Sequence, residues 1–224
     1  KNKYTKAYIN ELKKLGVYAK GEEEKGYLSS REIMILLDVL RIIDNPLQDL
    51  AMTAVMMSPM FMFTAEEMTI IRSIDKEKHI YLLLEEISDI SIHENNPRIT
   101  TSLQSKCIAF YGFIKSFRLL SVTLSTEELI KKIYDTTDFV TVMQLYTDGE
   151  KKQANLRYLI NYAHNYESSS SEIGGVSGFI RYIDKIIASG KDFQQGKISS
   201  TSDNYVSIKT MHKSKGLEYP FVFI

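Results

Sequence analysis

The sequence predicts a mainly α fold: a multi-helix body set between two partial α/β pieces at the ends of the chain. Three observations lead to it. Apolar residues recur at three- and four-residue intervals through most of the chain, the helical period. Glycine (11) and proline (4) are scarce among 224 residues, which suits long helices better than a loop-rich β protein. The clearest strand-like stretches lie near the ends, at Val17-Tyr18-Ala19 and at Val206 and Ile208, which alternate with Ser207 and Lys209.

Composition sets further bounds. Hydrophobic residues make up 44% and charged residues 25%, ordinary for a soluble globular chain that buries a core. Lysine plus arginine equals aspartate plus glutamate at 28 each, without the basic excess of a dedicated nucleic-acid-binding domain, so any DNA contact has to come from a local patch. The lone Cys107 excludes an internal disulfide and reads as a small core residue. No apolar run is long enough to span a membrane and no signal peptide opens the chain, so the expected location is cytoplasmic.

Taken in order, Tyr4, Ala7, Tyr8, Leu12 and Leu15 space a first helix, with Gly16 at its C-terminal cap and a charged surface loop from Lys20 to Gly26. Ser29 to Glu32 has the capping-box pattern, and Ile33, Leu36, Leu37, Leu40 and Ile43 form the core stripe of the helix behind it. That helix ends at Asp44-Asn45-Pro46, since a residue before proline disfavours the helical region. Gln48 to Met57 is apolar almost all round and reads as a buried helix; its methionines suit either core packing or an adaptable surface. Thr64 to Glu67 is a second capping box, opening a helix to Ile74. Another helix is expected from Glu77 to Ile90, and Asn95-Asn96-Pro97 breaks the chain. Ile99 to Leu120 is the longest helical candidate, and Ser125 or Thr126 with Glu128 starts the next. Asp138 to Leu145 is open between strand, by propensity, and helix, by its neighbours. Gly149 to Tyr166 is helical; its Lys151, Lys152, Arg157 and His164 form either a solvated face or a phosphate contact. Ser168 to Ser171 and Gly174-Gly175 read as a flexible link, Val176 to Ala188 as a helix with Phe179, Ile183 and Ile187 inward, and Gly190 to Asn204 as a mobile linker.

The most informative stretch is Val206 to Ile224. A strand leads into the loop Thr210-Met211-His212-Lys213-Ser214-Lys215-Gly216, and the apolar run Phe221 to Ile224 suits a strand buried on both faces. A chain that stops on a buried strand is expected to be a piece of a longer protein. Loops at the carboxyl ends of parallel strands are where open α/β sheets bind ligands. Lys209, Lys213 and Lys215 offer cations there, Thr210 and Ser214 offer hydroxyls, and Gly216 would let backbone N–H groups approach a phosphate. Glu218 could accept from a ribose hydroxyl. A solvated basic turn has the same composition.

The run Thr210-Met211-His212-Lys213-Ser214-Lys215-Gly216-Leu217-Glu218-Tyr219 resembles motif V of the UvrD-like superfamily 1 DNA helicases, T-x-H-x-x-K-G-L-E-[FY]. Leu40 to Asp49 with Ser58-Pro59 is similar to a second stretch of that family, and Asn155-Leu156-Arg157 with Gly178 to Ile183 to a third. Together they look most like the AddA type, the large helicase–nuclease component of the bacterial AddAB complex. The resemblance implies a division into 1–45, a first piece of motor domain 2A; 46–204, a helical 2B-like insert; and 205–224, the return to 2A with motif V. It implies Thr210, His212, Lys213 and Lys215 at DNA, Gly216 near nucleotide phosphates and Glu218 at the ribose. It implies two partners, DNA at a single-strand/duplex junction and an AddB-type subunit. It also implies a parent that uses ATP and Mg2+ to process double-strand breaks, with an iron–sulfur cluster, if any, outside this stretch. No G-x-x-x-x-G-K-[ST] loop is present and His79, His93 and His164 lack metal-ligand spacing, so the piece by itself is expected to bind no cofactor and to be inactive. The alternatives are a RecB-like or plain UvrD-like helicase without nuclease, and a helical protein-interaction module.

Overall fold

The computed structural model describes residues 4–21, 26–89, 98–169, 174–193, 205–209, 211–216 and 218–223. The chain divides into two compact units, one of residues 1–25 with 198–224 and one of residues 26–197.

The smaller unit holds helix α1 (Thr5–Lys14), strand β1 (Ala19–Lys20), strand β2 (Val206–Ser207) and the short helix labelled α11 below. β1 and β2 run parallel, with Ala19 opposite Val206 and Lys20 opposite Ser207. The turn between α1 and β1 is set by Gly16, whose φ of +74° suits glycine. Its N–H bonds the Lys13 carbonyl at 3.0 Å while the Val17 N–H bonds that of Leu12 at 2.9 Å, the paired bonds of a Schellman ending.

The larger unit is all helical among its described residues: α2 (Arg31–Asp44), α3 (Asp49–Met56), α4 (Ala65–Ile74), α5 (Ile80–Ser88), α6 (Thr101–Thr123), α7 (Thr126–Thr137), α8 (Phe139–Gln144), α9 (Gly149–Ser169) and α10 (Gly175–Ala188). Its axle is α2, which packs against α3, α6, α9 and α10. Consistent with that place, α2 buries Ile33, Ile35, Leu36, Leu37, Val39, Leu40, Ile42 and Ile43, more than one stripe of its surface. α2 therefore belongs by its packing to the helical unit, whose compact boundary falls near residue 25. No described helix is long and apolar enough to cross a membrane.

Several local expectations are met. Thr64 and Ser125 close reciprocal capping boxes with Glu67 and Glu128. The open segment at 138–145 is helical: Asp138 takes a left-handed φ of +49°, ends α7 and starts α8, and the packing of Phe139 and Met143 overrides β propensity.

Others are corrected. Ser29 and Glu32 form no capping box. Ser29 donates to the Gly26 carbonyl, while Glu32 is buried and accepts from Asn155 Nδ2 at 2.7 Å. α3 is not wholly buried: Ala51, Met52, Val55 and Met56 face the core, but Leu50 is 88% exposed. Ile187 is exposed, beyond the last inward turn of α10. Gly174 and Gly178 do more than loosen the chain, because a Cβ on either would lie within 2.8 Å of the Tyr166 hydroxyl. Asp192 and Phe193 pack into the helical unit instead of opening a linker. The Asp192 carboxylate accepts from the N–H groups of Gly26 (2.6 Å), Tyr27 (2.9 Å) and Leu28 (3.0 Å). Phe193 stacks on Tyr162 at 4.0 Å, and Tyr27 meets both rings edge-on. Asn95-Asn96-Pro97, Ser170-Ser171 and Gln194 to Asn204 lie outside the described residues.

Candidate functional site: the loop after β2

The site is built in the smaller unit. β2 is seated by its pairing with β1, and the Val206 N–H donates to the Tyr18 carbonyl at 2.8 Å. β1 is in turn drawn close to α1 at Gly21. A Cβ there would stand 2.6 Å from Thr5 Cγ2 and 3.2 Å from Ile9 Cδ1, so only glycine allows the approach. The α1 side chains facing this contact are few: Ile9 and Leu12 are half-buried, while Tyr4, Tyr8 and Leu15 of the expected stripe are exposed.

After Lys209 the chain forms one helical turn, α11 (Met211–Ser214), where the sequence suggested an irregular loop. Gly216 follows with φ +83°, and a Cβ on it would meet nothing within 4 Å. The backbone beside Gly216 is thus open to a close-approaching group. Lys209 Nζ reaches the Tyr219 hydroxyl at 3.0 Å and lies 5.5 Å from the centre of that ring, which ties the two ends of the loop together. Sequence reading did not pick out this closing pair, although Tyr219 stands in the aromatic position of the motif.

The loop places His212, Lys215, Gly216 and Glu218 on one short exposed stretch. Thr210 lies outside the described residues, and Lys213 is described in its backbone alone. Two cationic or donor groups, an unobstructed glycine and a carboxylate in so short a span can meet a phosphate and a hydroxyl together. The expected buried strand after Pro220 is not formed: Phe221, Val222 and Phe223 are 85%, 64% and 95% exposed and pair with neither β1 nor β2. A strand with no neighbour in the ladder has neither hydrogen-bond partners nor a surface to bury against.

The helical unit holds the remaining candidates. On α9, Lys152 is held by the Thr147 carbonyl and sits over the Tyr146 ring, His164 pairs with Glu127 at 2.7 Å, Lys151 is half-buried and Arg157 is exposed. His79 stands 3.4 Å from Asp49, and His93 lies outside the described residues. Cys107 is fully buried and its thiol is pushed up to about 12 by burial, which makes it a core residue and not a ligand. Among the described residues no cluster of three His, Cys, Asp or Glu could hold a metal ion.

Comparison with known proteins matches residues 1–224 to the UvrD-like helicase C-terminal domain. The chain is 32% identical over 221 residues to a protein of Acetivibrio thermocellus that is named as an ATP-dependent helicase/nuclease subunit. Proteins of the same name from Clostridium botulinum and Thermoanaerobacter pseudethanolicus are 34% identical over 221 residues and 33% over 223. These alignments cover 99–100% of this chain but 17% of each relative, so the chain spans about a sixth of their length.

Proposed function

Since the chain belongs to the UvrD-like helicase C-terminal domain family over its whole length, we propose that it is part of an AddA-type ATP-dependent DNA helicase/nuclease. The parent would process DNA double-strand breaks for recombinational repair in the cytoplasm. The observation that carries this reading is the exposed loop after β2, where His212, Lys215, Gly216 and Glu218 stand together in the motif V order.

In this reading Thr210 and His212 contact single-stranded DNA, with Lys213 and Lys215 adding charge toward its backbone. Gly216 lies against nucleotide phosphates and Glu218 holds the ribose. The open space over Gly216 and the exposure of Glu218 fit a nucleotide half-site. ATP with its Mg2+ would supply the phosphoryl chemistry; this chain contributes positioning, and the phosphate loop and nuclease come from elsewhere in the parent. An iron–sulfur cluster, if the parent carries one, lies outside this chain. The smaller unit corresponds to pieces of motor domain 2A and the helical unit to the 2B insert, which regulates the motor and contacts duplex DNA or an AddB-type partner. The relatives' helicase/nuclease names favour this over a nuclease-free helicase.

Fluorescence anisotropy on a single-strand/duplex junction, across a salt series, tests the DNA-contacting half. Binding by this chain that weakens steeply with salt is expected if its cations meet phosphates. No binding at low salt would remove a direct DNA role from the helical unit. In the full-length parent, Glu218→Ala should raise KM for ATP more than it lowers kcat.

A further inference from the structure

Glu218 is exposed and makes no hydrogen bond or ion pair of its own among the described residues. Gly216 has no side chain to anchor. Where these two groups stand is therefore decided by the residues beside them. Tyr219 follows Glu218 directly, and its hydroxyl accepts from Lys209 Nζ at 3.0 Å, ten residues back along the chain. The same ammonium lies 5.5 Å from the centre of the Tyr219 ring, within reach of a cation–π attraction. Lys209 comes just after β2, which is seated on β1 through the Ala19–Val206 and Lys20–Ser207 pairs. The contact thus carries the order of the strand pair across the mouth of the loop to the residue next to Glu218.

We propose that Lys209 and Tyr219 are positioning residues for the nucleotide half-site: their contact holds Glu218 and Gly216 at a fixed spacing before ATP arrives. This rests on the half-site reading above and adds the pair that sets its geometry. A loop left open at its mouth has to be ordered by the nucleotide itself, which subtracts from affinity, whereas a loop closed in advance does not. The role needs a cationic donor at 209 and a hydroxyl acceptor at 219, and neither side chain has to touch the nucleotide.

The test uses the full-length parent and steady-state hydrolysis on DNA, with ATP and its 2′,3′-dideoxy analogue as substrates and thermal melting of every variant. Lys209→Met is expected to raise KM for ATP about fivefold, what one lost hydrogen bond is worth, with a smaller change in kcat. The preference for ATP over the dideoxy analogue should narrow with it, because the ribose contact is the one displaced. Tyr219→Phe keeps the ring and loses the acceptor, so it should shift both readouts in the same direction. The double variant should be no worse than Lys209→Met alone, the mark of two groups acting as one. Lys209→Arg keeps the charge and a donor and should restore both readouts. A lower melting temperature with KM and preference unchanged reduces the contact to a stability role and overturns the proposal. A raised KM in Lys209→Met that Tyr219→Phe does not share overturns it in favour of a direct lysine–phosphate contact, and no change in any readout overturns it outright. Glu218→Ala separates the two readings. If it raises KM and abolishes the preference while Lys209→Met does neither, the positioning role alone fails; if it changes neither, the half-site reading fails and takes this one with it.

Discussion

Among single residues, those that carry the family-like motifs of the helical unit serve mostly as staples. Asn155 is buried and donates to Glu32, its carbonyl accepts from the Tyr27 hydroxyl at 2.9 Å, and Gly178 yields its side-chain volume to Tyr166. Gly178→Ala pits two effects against each other. Alanine gains about 1 kcal/mol of helix propensity, but its Cβ would fall 2.5 Å from the Tyr166 hydroxyl. Overpacking of this kind costs about 1–3 kcal/mol, so net destabilisation is expected in urea titration. Adding Tyr166→Phe removes the clashing atom and should restore the loss. Asp192→Ala leaves three backbone donors without their acceptor and should cost about 2–3 kcal/mol by the same titration.

Between elements, the helical unit caps its helices from a distance. Asp49 of α3 accepts the Ile80 N–H at the start of α5, and Gln104 of α6 donates to the Ile87 carbonyl near its end at 3.0 Å. Arg118 of α6 donates to the carbonyls of Ile43 and Asp44 at the end of α2, and Glu167 of α9 accepts the Thr126 N–H at the start of α7. Each bond satisfies an orphan end group and fixes the packing of two helices at once. Asp49→Ala should cost about 1 kcal/mol, a typical cap, with the loss concentrated in α5 when followed by amide hydrogen exchange. This is also where sequence reading stopped. Local caps at Thr64 and Ser125 were legible because cap and partner are three residues apart. Glu32 imitated such a box and instead met Asn155 across the fold, and nothing in the local pattern distinguishes the two. Likewise the motif of the loop was legible in its residue order, but the Lys209–Tyr219 closure and the exposure of Phe221 to Phe223 depend on which strands are present to pair.

For the molecule as a whole, acid should unfold the helical unit through carboxyls at its helix starts. Lys131 and His164 hydrogen bonds hold Glu127 below the usual carboxylate range, and the Ser125 N–H does so for Glu128. Burial opposes ionisation of Glu67, but Lys106 and Thr64 outweigh it. All three bind protons more readily when unfolded, so their contribution is present above the unfolded carboxylate pKa and lost as pH falls through the folded values. The urea midpoint is expected to hold from pH 7 to about 5 and to fall below about pH 4.5. A midpoint that stays level through pH 3.5 would contradict this.

The Asp192 clasp has a consequence for the order in which the chain folds. β1 and β2 pair across roughly 190 residues of intervening chain. Closing a flexible loop of that length costs on the order of 5 kcal/mol in entropy, far more than two short strands return. Asp192 grips Gly26, Tyr27 and Leu28, so once the helices have assembled, the two points where the chain enters and leaves them stand side by side. The loop that the strands must then close is only residues 21–25 on one side of that clasp and 193–205 on the other. The helical unit thus acts as a preassembled crossover connection, and the parallel pairing that seats the motif loop is expected to form last.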